Sequence, residues 1–265
     1  MAVDYHLEGQ VAVITGSTSG IGQALATALA EQGVNVVLNG FGDAAKIEAD
    51  RLAIQQKTNA AVRYHAADMT KPAEIADLIA YAVKEFGRLD ILVNNAGIQH
   101  VEAVETYPEE KWDALIAVIL SSTFHATKAA IPIMKAQGRG RIVNIASAHG
   151  LVASAFKAPY VAAKFGVVGF TKACAVELAR TGITVNCICP GYVKTPLIEA
   201  QIVDQAKMRG IPEDRVIEDV ILAAQPNKTF VEYRHLAGQL LYLVSDMGAS
   251  ATGAALSVDG GWTAT

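Results

Sequence analysis

Short apolar runs alternate along this chain with longer stretches of helical period. Residues 11–15, 34–38, 61–65, 91–93, 141–145, 183–187 and 255–258 have the length and aliphatic content of strands. Between them, 21–32, 72–86, 109–135, 160–180 and 233–246 space their apolar residues as helices that cover a sheet. Strand and helix in strict alternation predict a parallel sheet covered on both faces, a doubly wound, Rossmann-like α/β fold in a single domain over residues 1–265. Such sheets bind ligands beyond the carboxyl ends of their strands, so the turns after Thr15, Leu38, His65, Val93, Ile145 and Ile188 are where chemistry is expected. Residues 195–225 break the alternation, carry more charge with Pro196 and Pro212, and are predicted to form a helical lid over the site.

Composition narrows the function classes. A net charge of −4 with scattered Lys and Arg leaves no basic block for nucleic acid or an anionic membrane, so small molecules and copies of the same chain are the expected partners. The first ten residues lack the pattern of a signal peptide, and no uninterrupted apolar run looks long enough to span a bilayer; a cytoplasmic location is expected. Cys174, Cys187 and Cys189 are spaced wrongly for a disulfide framework or a zinc site, so buried thiols and no metal are expected.

The first strand runs into TGSTSGIG at residues 15–22, a glycine-rich turn that opens a helix. Gly16, Gly20 and Gly22 stand where a side chain would block the turn, the approach of a phosphate or helix packing, and the N–H groups around Thr18, Ser19 and Ile21 suit a pyrophosphate. Asp68 and Met69 end the third strand and offer a carboxylate and backbone for an adenine edge, and Asn95-Ala96-Gly97 offers close backbone approach on the nicotinamide side. A 2′-phosphate demands a cation, which neither Ser17-Thr18-Ser19 nor Asn39-Gly40-Phe41 supplies, so NAD is expected over NADP. The usual ribose-binding acid is also missing unless Asp43 reaches back.

Tyr160 and Lys164 lie four apart on one helical face, where an ammonium beside a phenol is expected to lower its pKa from about 10 and make it an acid/base group. Ser147, at the end of the fifth strand, completes a candidate triad. TGSTSGIG, NNAG at 94–97, Ser147 with YVAAK at 160–164, and Pro190-Gly191 together resemble the short-chain dehydrogenase/reductase family, in matching order over essentially the whole chain. The resemblance implies Tyr160 as acid/base, Lys164 as its modulator and ribose ligand, and Ser147 as polariser of the substrate oxygen. It adds Phe41, Pro190, Gly191, Val193 and Thr195 to the cofactor site, and implies a homotetramer paired through helices 109–135 and 160–180. One position departs: Ile119 stands where the family usually has an Asn that holds a proton-relay water.

LNGFGD at 38–43, NAGIQH at 95–100, NIASAHGLVAS at 144–154 and VDGGWT at 258–263 resemble more closely the branch that interconverts short 3-hydroxy and 3-oxo acids, D-3-hydroxybutyrate among them. That resemblance implies Gln99, His149, Lys157 and Gln201 as carboxylate ligands, Tyr192 as an aromatic wall, and Trp262 as a residue that closes the pocket from a partner subunit's tail. Lys157 is a cation that a neutral ketone would not require. Phe156 in place of Asn, Ala158-Pro159, Phe165 in place of His and Tyr192 in place of Trp depart from that branch. The competing readings are turnover of another small alcohol or ketone, and a weakly active nicotinamide-binding variant that owes its weakness to Ile119.

Overall fold

Val11 and Val13 pack into the core on one side of the sheet and Ala12 and Ile14 on the other, so β1 (Val11–Ile14) is buried on both faces. β2 (Asn35–Asn39), β4 (Ile91–Asn94) and β5 (Gly140–Ile145) are likewise buried along almost their whole length, with consecutive aliphatic residues at their centres. With β3 (Val62–His65), β6 (Ile183–Pro190) and β7 (Ala255–Val258) they form one parallel sheet in the order β3-β2-β1-β4-β5-β6-β7. This computed structural model describes residues 4–264 apart from 196–197, 200–201, 204–205 and 208–209.

Helices α1 (Gly20–Glu31), α2 (Ala44–Lys57) and α6 (Tyr233–Val244) cover one face, while α3 (Pro72–Phe86), α4 (Glu109–Gln137) and α5 (Ala158–Leu178) cover the other. The α3 bounds match the sequence reading because both ends carry strong signals: Pro72 opens the helix and Gly87 closes it in the left-handed region, with φ 77°. Helix α2 was not among the predicted helices. It buries only Ile47 and Ile54, too thin a stripe to stand out as a period.

By length and average composition α4 is apolar enough to cross a membrane, although polar residues from Ser121 to Lys128 interrupt its apolar run. In the fold it is a core helix, with Ala126, Ala130 and Met134 packed against the sheet and α3. Its middle, Ile116–Ser121, is wound as π-helical turns, a common device near functional sites. Residue 119 falls inside that stretch.

Sheet order reverses between β1 and β4, which leave a crevice at their carboxyl ends. There the fold gathers the turns that follow β1 to β6.

Candidate active site

A cleft of about 510 Å³ runs along those carboxyl ends. It is lined by Gly16, Thr18, Ser19, Gly20, Ile21 and Gly22 after β1, by Phe41 after β2, and by Asp68 and Met69 after β3. Asn95, Ala96, Gly97 and Gln99 follow β4; Ser147, His149, Lys157, Tyr160 and Lys164 follow β5; Pro190, Gly191, Tyr192, Val193, Thr195 and Trp262 close the far side. The structure therefore brings together every site residue expected from sequence except Gln201, which lies outside the described residues.

The glycine-rich turn is built for close approach. Gly16 has φ 63°, and a Cβ there would stand 2.8 Å from the Ala96 Cα, so no other residue fits without moving the backbone. Ser19 precedes α1 without capping it through its side chain, which leaves the first-turn N–H groups aimed at the cleft. Free N–H donors and the helix dipole at one tight turn fit the pyrophosphate of a nicotinamide dinucleotide.

Two asparagines hold this turn: Asn39, which sequence reading did not single out, and Asn95, which it read for backbone approach alone. Asn39 is fully buried; its Oδ1 accepts the Gly16 N–H at 3.3 Å, and its Nδ2 donates to the carbonyls of His65 and Ala67 at 3.1 and 2.9 Å. Asn95 spends its amide on the carbonyls of Thr15 and Gly16, at 3.0 and 2.9 Å, so its side chain braces the turn. The only cue to Asn39 was a polar residue at the end of an apolar strand, and its partners come from two other strands.

At the adenosine end, Thr18 donates its hydroxyl to the Phe41 carbonyl at 2.9 Å, and Phe41 stays exposed on the cleft. Asp43 does not reach back: its carboxylate accepts the Lys46 N–H at 2.8 Å and caps α2. Asp68 lines the cleft, but one carboxylate oxygen is held by the Thr70 N–H and hydroxyl at 2.9 and 2.8 Å, bonds that lower its pKa. Among the described lining residues the lysines are Lys157 and Lys164, both grouped with Ser147 and Tyr160 rather than with Phe41.

At the other end, Ser147 caps a short turn and accepts the His149 N–H at 3.1 Å. Lys164 is buried, donates to the Ile145 carbonyl at 2.7 Å, and holds its ammonium 5.6 Å from the Tyr160 ring centroid. Burial lowers the Lys164 pKa to about 8. The Tyr160 phenol is raised, contrary to the sequence expectation: burial pushes it up, and the Ser147 hydrogen bond pulls only part of the way back. The ammonium is bonded to the carbonyl of β5. Beneath them Cys187 and Cys189 are buried and unoxidised, as is Cys174. The hydrogen bond that Cys189 donates to Cys187, with burial, raises the pKa of the Cys189 thiol.

The opposite wall is aromatic. Trp262 stacks on Tyr192, and its edge meets His149 at 4.8 Å between centroids. This corrects the expected role of Trp262: β7 lies beside β6, and the turn at Gly260 and Gly261, with φ 63° and 90°, brings the indole back into the cleft of its own chain. His149 is buried with Nδ1 unpaired, and burial followed by the nearby Lys157 charge takes its pKa down to about 4, so it works as a neutral group. Gln225, also not foreseen, is fully buried and accepts the Tyr192 N–H at 2.5 Å while donating to Thr229 at 2.7 Å.

Ile119 is 1% exposed and packs with Leu115, Ala146, Ala163 and Val167, so the position of the expected relay amide is filled by hydrocarbon. Between 195 and 225 the described residues include helical turns at Glu213–Val216 and Ile217–Ile221 and a small apolar cluster of Ile202, Val216, Ile221 and Leu222 against Tyr192.

A sequence profile of the short chain dehydrogenases matches residues 10–206. The chain is 56% identical over 255 residues to D-beta-hydroxybutyrate dehydrogenase of Rhizobium meliloti, covering 96% of this chain and 99% of that one. It is 51% identical over 258 residues to the enzyme of the same name from Cupriavidus necator, covering 97% and 99%. Among solved structures, an actinorhodin polyketide ketoreductase variant with NADPH superposes over the full length of both chains with a TM-score of 0.89 at 35% identity. With a glycine-rich cradle at one end of its cleft and Ser147, Tyr160 and Lys164 at the other, the chain belongs to the short-chain dehydrogenase family and is an oxidoreductase of the nicotinamide-dependent kind.

Proposed function

We propose that this enzyme reversibly oxidises D-3-hydroxybutyrate, or a close short 3-hydroxy acid, to the 3-oxo acid with NAD. The observation that carries the reading is Lys157 in the same end of the cleft as Ser147 and Tyr160, in a chain 56% identical to a D-beta-hydroxybutyrate dehydrogenase. A cation in that end of the cleft is what a short carboxylate requires and a neutral alcohol does not.

The dinucleotide held by the glycine-rich turn would supply the hydride acceptor for C3. Tyr160 takes the hydroxyl proton, Ser147 hydrogen-bonds the same oxygen, and Lys164 stabilises the phenolate while its stem stays buried. Lys157 with Gln99 and neutral His149 orients the carboxylate, and Gln201 is assigned to the same group by resemblance. Tyr192 and Trp262 exclude water from the far wall. The Gly16–Gly22 turn, Phe41, Asp68, Met69, Asn95–Gly97 and Pro190–Thr195 hold the dinucleotide. NAD is favoured because the adenosine end offers a 2′-phosphate no lysine or arginine among its described lining residues.

Trp112, Phe124, Phe165 and Val176 lie exposed on α4 and α5, which supports the pairing of these helices in a homotetramer. Three buried, unpaired cysteines fit a reducing compartment such as the cytoplasm. A lid role for the 195–225 segment is supported by its described apolar cluster of Ile202, Val216, Ile221 and Leu222 against Tyr192.

The reading is tested by following NADH absorbance with D-3-hydroxybutyrate, its L enantiomer and its methyl ester. Turnover of the D acid over both others, lost by a factor of about 10²–10⁴ in Tyr160→Phe, is expected. Activity confined to neutral alcohols overturns the substrate assignment.

A further inference from the structure

Tyr192 is held from two sides. Its backbone is tied to buried Gln225 at 2.5 Å, and its ring lies on Trp262 with planes 8° apart. These constraints fix the direction of the phenol, and what it meets is Lys157. The Lys157 ammonium stands 5.6 Å from the Tyr192 ring centroid and donates a long hydrogen bond of 3.4 Å to the phenol oxygen.

A lysine side chain has four rotatable bonds and loses that freedom when it binds an anion. Lys157 precedes α5 with non-helical backbone, φ −131° and ψ 27°, so helix geometry does not aim it. The ring face attracts the cation, and the phenol oxygen takes one of its three N–H groups, which leaves two for a ligand. Phe at 192 would keep the ring and lose the acceptor.

We propose that Tyr192 is the positioning residue for Lys157: its hydroxyl and ring hold the ammonium over the substrate end of the cleft and so set the preference for a short carboxylate over a neutral ketone or alcohol. This rests on the reading of Lys157 as the carboxylate anchor. Tyr192 acts on the carboxylate through Lys157.

The test compares the wild type with Tyr192→Phe, Lys157→Met and the double variant. Oxidation of D-3-hydroxybutyrate and of its methyl ester is measured, together with the Kd of butyrate for the enzyme–NAD complex by calorimetry. Butyrate carries the carboxylate without the reacting hydroxyl. Tyr192→Phe is expected to raise the KM of the acid and the Kd of butyrate about five- to tenfold, and to lower kcat/KM for the acid by a clearly larger factor than for the ester. In the Lys157→Met background, adding Tyr192→Phe is expected to change butyrate affinity no further. Unchanged butyrate affinity in Tyr192→Phe, additive losses in the double variant, or equal losses on acid and ester each overturn the proposal while leaving the substrate reading intact. Wild type that binds butyrate but does not oxidise the acid removes the substrate reading, and the butyrate series still decides the role of Tyr192. Wild type that binds no butyrate overturns the role of Tyr192, and if it also fails to oxidise the acid it overturns both.

Discussion

The indole of Trp262 lies flat on the phenol ring of Tyr192 in the same chain, with ring centroids 5.4 Å apart. The aromatic wall of the substrate end is therefore supplied from within one chain, by the strand end after β6 and the turn after β7.

Trp262→Ala should raise the KM of the acid about tenfold, the worth of one aromatic pair with some lost contact area. Co-refolding this variant with Tyr160→Phe separates the two possible sources of the indole. With the wall supplied in cis, the mixture at low substrate shows the mean of its parents; recovery toward the wild-type rate would mean that a neighbouring subunit donates Trp262.

His149 gives the enzyme an acid limb. Its ordinary pKa is 6.5, and in the folded chain it is about 4, so below pH 6.5 the unfolded chain binds more protons than the folded one. Stability therefore falls as pH drops from 6.5 to 4, by about 3 kcal/mol from this residue. Urea denaturation across that window should show a shallower loss in His149→Gln; parallel curves would place the acid sensitivity elsewhere.

Ile119→Asn restores the amide that the family usually carries at this position. If exchange of the Lys164 proton with solvent limits turnover, kcat rises up to about tenfold with KM unchanged and a smaller solvent isotope effect. The substitution also puts an amide among Leu115, Ala163 and Val167, at a cost of about 1–3 kcal/mol in thermal or urea stability if it finds no partner. Equal kcat in the two proteins would show that the proton leaves by another route.

Phe156 is a strained residue. It sits at φ 63°, a region that a bulky side chain occupies at a cost of about 1–2 kcal/mol, and its ring is 62% exposed, so packing returns little. Phe156→Gly or Phe156→Asn should raise the melting temperature by about 2–4 °C. A fall would mean that the ring is covered in the assembled enzyme.

What the sequence made legible was local. The turn from Gly16 to Gly22 and the Tyr160–Lys164 pair carry their geometry in spacing alone, and strand–helix alternation carried the sheet. What escaped were facts about distance through space. Asn39 braces the glycine-rich turn from another strand, Gln225 buttresses Tyr192 from 33 residues away, and α2 shows too few apolar residues to announce itself. The direction of the Tyr160 pKa was misread because spacing reports the neighbouring cation and is silent about desolvation.

The cleft draws its walls from Gly16 at one end of the described chain and Trp262 near the other, and the strands that carry them stand on opposite sides of β4, β5 and β6. Such long-range closure makes catalysis the last property to return on refolding. Helix content is expected to recover first, and NADH production only once β7 has docked, so an activity assay times the final step of folding.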